Sequence, residues 1–123
     1  MNIKNTSGLI FNFLANGNIR NIEVSPIRIS LKSATAFSKA GANLYLRKRS
    51  DQPEFKALLG PESNSSFLIR DDAYVSKGSW QGLEYKVTLQ LSLKSLSWKW
   101  DIEIHNTSPS PVELDLIYMQ DVG

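Results

Sequence analysis

Strict alternation of apolar and polar residues marks the second half of the chain. The longest alternating run covers residues 83–93, and two shorter runs follow at 98–104 and 112–116. Successive side chains of a strand point to opposite faces, so each run predicts one buried face and one face in water. Three such strands joined by short connections predict an antiparallel meander packed against a second layer. The predicted fold class is therefore all-β, an antiparallel β-sandwich of two sheets.

The same alternation predicts which side chains face the core. The inward set is Leu83, Tyr85, Val87, Leu89, Leu91 and Leu93, then Trp98, Trp100, Ile102 and Ile104, and finally Leu114 and Leu116. A register slip of one residue would exchange the two faces of a strand. Inward positions for Glu84, Thr88 and Gln90 would therefore contradict this prediction.

The first half of the chain predicts shorter strands separated by turn residues. Apolar-rich segments predict strands at 9–14, 19–24, 27–31, 44–46 and 67–70. The pair Asn16-Gly17 favours the positive dihedral angles of a tight hairpin turn. Residues 33–42 are predicted to form a loop with room for one helical turn. Residues 50–66 contain two prolines and are predicted to form a long connection.

Composition narrows the chemistry that this chain can perform. A length of 123 residues, with 41% hydrophobic and 21% charged residues, is typical of one globular domain. The absence of cysteine excludes disulfides, thiol nucleophiles and thiolate metal sites. A single histidine, His105, argues against a zinc site or a Ser-His-Asp relay. The net charge of +2 gives no argument for a nucleic-acid partner.

Neither a membrane span nor a signal peptide is visible. The longest apolar stretches fall far short of the roughly 20 residues that span a bilayer. Residues 1–14 have no apolar segment followed by a small-residue cleavage site. The predicted location is cytoplasmic, without a membrane partner.

Aromatic residues are the main candidates for a binding role. Trp80 lies at a corner between Gly78 and Gly82, where an exposed indole ring can stack on a sugar. Trp80 and Tyr85 would form the binding platform of a free-standing carbohydrate-binding module. Trp98 and Trp100 are instead assigned to the core or its rim, because they share a face with Ile102 and Ile104.

Charged residues give weaker candidates. Asp71 and Asp72 are adjacent, so their carboxylates diverge on extended backbone and suit a turn better than glycoside hydrolysis. The basic cluster at residues 47–49 is interpreted as a solvated strand end, with a phosphate or sugar contact as the alternative. No catalytic residue and no metal ligand is assigned.

Four sequence strings carry a resemblance to a known family. They are residues 42–47 (ANLYLR), residues 58–61 (LLGP) followed by Ser63, residues 78–82 (GSWQG), and residues 114–122 (LDLIYMQDV). Together they resemble the amino-terminal β-sandwich of glycoside hydrolase family 94 over residues 16–123. The 1,2-β-oligoglucan phosphorylases and the related part of cyclic β-1,2-glucan synthases are the members most similar to it.

The resemblance implies a non-catalytic segment of a larger enzyme. Members carry out inverting phosphorolysis with inorganic phosphate in an (α/α)6 barrel that this chain lacks, so the chain itself would need no cofactor. A β-glucan would be the partner of the parent enzyme. The sandwich would support a homo-oligomer and border the active-site mouth through residues 33–42 and 50–66. The alternatives are a free-standing carbohydrate-binding module and a structural sandwich without a ligand.

The last predicted strand raises a separate expectation. It ends near Tyr118, close to Gly123, which suggests a fragment of a longer multidomain protein whose strand edge is left bare. A bare edge pairs most simply with itself in a two-fold dimer. The alternative is a monomer whose edge is short and capped by Pro109 and Pro111.

Overall fold

Strands make up nearly all of the regular structure. The computed structural model describes residues 1–24, 27–29 and 42–120, with side chains for all of these except 27–29. The described residues form eleven strands and one 3-10 turn, which confirms the all-β prediction. The elements are β1 Asn2–Lys4, β2 Leu9–Phe13, β3 Ile19–Val24, β4 Ile27–Ile29, β5 Ala42–Lys48, β6 Glu54–Ala57, the 3-10 turn Pro61–Ser63, β7 Ser66–Ile69, β8 Ala73–Trp80, β9 Leu83–Leu91, β10 Trp98–Asn106 and β11 Leu114–Gln120.

The strands form three antiparallel sheets, where the alternation predicted two. The N-terminal sheet has the order β1-β2-β3-β4, the meander sheet has the order β10-β9-β8-β7, and the three-stranded sheet has the order β11-β5-β6. The predicted meander is wrong in its third strand, because β11 pairs with β5 and not with β10. The connection between β10 and β11 contains Pro109 and Pro111, and it carries the chain from one sheet to the other.

Two hairpin turns follow from residues with positive φ. Gly17, with φ of 89°, lies in the turn between β2 and β3, where Asn16-Gly17 predicted a hairpin. Gln81 and Gly82 have φ of 49° and 82° between β8 and β9, the signs that a type I′ turn requires at both central residues. These turns set the registers of the strands that they join.

Aromatic contacts join the three sheets around one core. Phe13 of β2 stacks on Tyr74 of β8, with centroids 4.6 Å apart and planes 10° apart. Phe11 of β2 meets Trp98 of β10 edge to face at 5.1 Å. On the other side, Trp100 of β10 lies 6.1 Å from Tyr118 of β11. The inner face of the meander sheet therefore packs against both of the other sheets.

The predicted register of β9 is confirmed. Leu83, Tyr85, Val87, Leu89 and Leu91 are between 0% and 3% exposed, and the residues between them face outward. The prediction fails at the sixth member of the series. Leu93 is 70% exposed because β9 ends at Leu91, and a turn closed by Ser92 N–H donating to the Ser97 carbonyl follows.

The prediction that residues 50–66 form a long loop reaching away from the sheets is wrong. It contains β6 and the 3-10 turn, and Leu58 and Leu59 within it are 0% and 1% exposed. The Leu58 amide donates to the Leu44 carbonyl at 2.9 Å, and its own carbonyl accepts from Ser76 Oγ at 2.8 Å. The segment is thus part of the core. The other predicted loop, residues 33–42, lies outside the described residues except for Ala42 at the start of β5.

Within the described ranges, no helix is long and apolar enough to cross a membrane.

Candidate interaction face

Strands β10 and β11 lie at the ends of their sheets, on the same side of the molecule. Among the described strands, β10 pairs only with β9, and β11 pairs only with β5. Directly opposite residues of an antiparallel pair share a face. Ile104 lies opposite the buried Tyr85, and Leu116 lies opposite the buried Leu46. The even-numbered side chains of both strands therefore point toward the core.

The described residues cover these inward-facing side chains only in part. Ile104 is 39% exposed, Leu116 is 49% exposed and Tyr118 is 44% exposed. Leu46, one strand further in, is 0% exposed. We call this surface the open inner face, and it consists of Trp100, Ile102, Ile104, Leu114, Leu116 and Tyr118. The predicted inward direction of its members on β10 and β11 is confirmed, but their burial is only partial.

The contact between Trp100 and Tyr118 closes the inner end of this face. Burial raises the pKa of the Tyr118 hydroxyl, and the nearby Trp100 indole lowers it by less. The Tyr118 hydroxyl donates to Gln120 Oε1 at 2.6 Å. The Trp100 indole N–H is buried and makes no hydrogen bond of normal geometry to any described residue, so its interaction with the Tyr118 hydroxyl is at most a poorly aligned one. A donor left unpaired in this way costs stability.

The outer face of β11 is also largely apolar. Ile117 is half-buried and Met119 is 57% exposed, while Asp115 is the only charged side chain of the strand. Hydrogen bonds from Arg49 and then Arg47 lower the pKa of Asp115 to about 2. A strand with apolar residues on both faces is typical of a sheet covered on both sides. Strand β11 is therefore suited to burial on both faces, although the described residues bury it only in part.

The predicted basic cluster is divided between the two faces of β5. Arg47 and Arg49 both pair with Asp115, with Arg49 Nη2 at 2.7 Å from Asp115 Oδ1. Lys48 points to the other face, where its ammonium donates to Gln81 Oε1. These contacts tie β5 to β11 and to the tip of the β8–β9 hairpin, which is a structural use of all three cations.

The structure does not form the predicted platform of Trp80 and Tyr85. Tyr85 is 3% exposed, and its hydroxyl is hydrogen-bonded to Ser65 Oγ, so it is a core residue without a free ring face. Trp80 is half-buried against the core, and the Lys48 ammonium lies 5.0 Å from its ring centroid. Both side chains follow the inward series of their strands.

The remaining charged candidates have plain structural positions. Asp71 and Asp72 lie between β7 and β8, where the Arg70 amide donates to the Ala73 carbonyl at 2.8 Å, and this confirms the predicted turn. His105 is exposed on the outer face of β10. Within residues 1–24 and 42–120, no three His, Cys, Asp or Glu side chains come together as a metal site would require.

Sequence reasoning missed the open inner face as a site, although β11 carries a signal for it. The run Leu-Asp-Leu-Ile-Tyr-Met-Gln at residues 114–120 loses its alternation after Asp115, since Ile117 and Met119 occupy outer positions. A half-buried strand keeps polar residues at such positions. The apolar residues on both faces of β11 were the signal in the sequence that this strand has apolar surface left to bury.

Comparison with known proteins identifies a family over most of the chain. The sequence model of the SOGP N-terminal domain matches residues 12–123. No curated protein matches the chain.

This match corrects the assignment that the four sequence strings suggested. The matched family is described as the SOGP N-terminal domain and not as the amino-terminal region of glycoside hydrolase family 94. The phosphorylase or glucan-synthase parent and the β-glucan partner depended on that resemblance and are withdrawn with it. The carbohydrate-binding alternative was based on Trp80 and Tyr85, and the same family match points away from it. The strings themselves are largely β5, the end of β8 with its turn, and β11. Strand packing and turn geometry demand such residues in many β-proteins, so short strings of this kind discriminate poorly between families.

Proposed function

The chain belongs to the SOGP N-terminal domain family, and from its open inner face we propose that it is a non-catalytic interaction domain. The face takes up another part of the polypeptide in which such a domain stands at the N-terminus. The observation that carries the proposal is the contrast between Leu116, which is 49% exposed, and its direct neighbour Leu46, which is 0% exposed.

The size of the face favours a partner within the same polypeptide. Burying a large apolar side chain completely is worth roughly 1.5–3 kcal/mol, so covering the exposed half of Ile104, Leu116 and Tyr118 is worth about 2–4 kcal/mol in all. Bringing two separate proteins together costs more than that in lost rotational and translational freedom. A tethered partner avoids most of this cost because its effective concentration is high.

The charge on β11 also supports a non-catalytic role. Two arginines hold the pKa of Asp115 at about 2, so the carboxyl stays ionised near neutral pH. An acid or base in catalysis needs a pKa closer to the working pH. Asp115 instead fixes β11 to β5 by pairing with Arg47 on that strand and with Arg49, which follows its last residue. The cytoplasmic location stays a prediction.

Hydroxyl-radical footprinting tests the proposal directly. The 123-residue chain, at a concentration where it is monomeric, and a longer protein that carries it at the N-terminus are oxidised in parallel, and modification is read residue by residue. We expect Leu116 and Tyr118 to be modified several-fold less in the longer protein. Leu68 on β7 is 53% exposed at the opposite edge of the meander sheet and is the matched control. Equal modification of Leu116 in both proteins would overturn the proposal.

A further inference from the structure

Among the described strands, one edge of β11 is unpaired, and its hydrogen-bonding groups can be assigned. The Arg49 amide donates to the Glu113 carbonyl at 3.1 Å, which extends the ladder between β5 and β11 by one pair. Hydrogen-bonded pairs recur at every second residue of an antiparallel ladder. In the observed register, residues 115, 117 and 119 of β11 therefore bond to β5. The N–H and C=O groups that point away from β5 belong to Leu114, Leu116, Tyr118 and Gln120.

This edge lacks the usual protection against pairing. Natural edge strands carry lysines, prolines or bulges that discourage another strand from adding. Strand β11 contains no lysine and no proline, its ladder with β5 is continuous, and the charge of Asp115 is compensated by two arginines. The edge of β10 differs, because its outer face carries Lys99, Asp101, Glu103 and His105. Of the two edges beside the open inner face, β11 is the one suited to accept a strand.

We propose that β11 pairs with β11 of a second copy of this chain, antiparallel about a two-fold axis at Ile117. In this register Leu116 lies opposite Tyr118 of the second copy, and Leu114 lies opposite Gln120, all on the inner face. Each of these pairs joins residues whose backbone groups point to the free edge, as a hydrogen-bonded pair requires. The pairing joins the two three-stranded sheets into one continuous sheet.

Charge and symmetry single out this register. It uses all seven residues of β11 and places Asp115 opposite Met119 of the second copy. A register that sets Leu114 opposite Leu116 would place Asp115 opposite its own copy, and like charges directly opposite each other destabilise a pair. A second copy therefore matches the edge in hydrophobicity and sets no like charges directly opposite each other. The inference goes beyond the proposed function, because it depends on the backbone edge and not on the inner face.

A single introduced cysteine tests this pairing, since the chain has no cysteine of its own. Ile117 opposite Ile117 is a non-hydrogen-bonded pair, in which Cβ atoms lie about 4.5–5.5 Å apart, near the reach of a disulfide. Ile117→Cys is treated with diamide, which takes up the two electrons and two protons released by the two thiols. Leu68→Cys, on the exposed edge strand β7, is the matched control. We expect the disulfide dimer of Ile117→Cys to form at least ten-fold faster than that of Leu68→Cys.

Sedimentation velocity of the unmodified chain completes the test. We expect a concentration-dependent dimer that Ile117→Lys abolishes and Leu68→Lys leaves intact, with circular dichroism confirming that each variant is folded. Equal crosslinking rates for the two cysteine variants, or an unmodified chain that stays monomeric at high micromolar concentration, would overturn the β11 pair. That result would leave the proposed docking role standing, because footprinting of the longer protein tests it separately.

Discussion

Replacing Leu116 and Leu46 by alanine, one at a time, compares two leucines that lie directly opposite each other on one face of a sheet. Leu46 is 0% exposed, so its truncation leaves a cavity and should lower the free energy of unfolding by about 2–5 kcal/mol. Leu116 is 49% exposed, so only about half of its transfer free energy is at stake. Water can fill the space it leaves, and the expected loss is about 0.5–1.5 kcal/mol.

Urea denaturation followed by tryptophan fluorescence measures both values in the isolated chain, which contains three tryptophans. The free energy of unfolding is extrapolated linearly, and similar m-values for the parent and both variants serve as the control for two-state behaviour. A loss for Leu116→Ala as large as the loss for Leu46→Ala would refute the reasoning. It would mean that the inner face of β11 is closed in the isolated chain and has no cover left to gain.

Three further substitutions test single contacts, each by chemical denaturation. Tyr74→Phe should cost about 1–3 kcal/mol, because the buried Tyr74 hydroxyl donates to the Gly17 carbonyl at 2.9 Å; an unchanged stability would contradict this. Gly78→Ala should cost about 1–3 kcal/mol, since its Cβ would lie 2.3 Å from the hydroxyl oxygen of the buried Tyr85; a neutral result would show that the ring moves aside easily. Trp100→Phe should cost no more than about 1 kcal/mol, because losing an unpaired buried N–H offsets the loss of packing; a cost near 3 kcal/mol would indicate a hydrogen-bonded indole.

The register of β9 was predictable because one face of this strand is buried along its whole length. Its alternation therefore fixed which side chains point inward. The same pattern continued to Leu93 and failed there. Alternation describes side-chain direction, but it does not show where a hydrogen-bonded ladder stops. The turn between Ser92 and Ser97 ends the pairing and leaves Leu93 70% exposed.

The partner of β11 was not predictable from its own residues. Alternation assigns faces to a strand but does not identify the neighbouring strand, and sequential strands often pair only because the connection between them is short. Here β11 crosses to β5, whose residue Arg47 lies opposite Asp115 although 68 positions separate them in the sequence. The opposite charges of these two residues are consistent with the pairing. They attract each other, however, only after the fold has brought the two residues together.

The structure does not form the predicted platform of Trp80 and Tyr85, and the alternating pattern of β9 already argued against it. Tyr85 belongs to the alternating run of β9, and the same residue was assigned to an exposed platform with Trp80. A side chain cannot satisfy both positions, and burial prevails because the core gains from covering a large ring. The hydroxyl then finds its partner in Ser65 inside the fold.

The two edge strands differ in how much of their apolar surface the described residues leave uncovered. The outer positions of β10 carry charged or polar side chains, which water can solvate. Only the inner face of β10 therefore has apolar side chains that gain from burial. Outer positions of β11 include Ile117 and Met119, and its free backbone groups come from the same residues that make its inner face. An added strand would satisfy those backbone groups and flank both apolar faces at once, whereas a layer on the inner face alone would leave Met119 exposed. The unpaired backbone groups and the exposed apolar side chains therefore both belong to β11, and a strand added beside it would satisfy both.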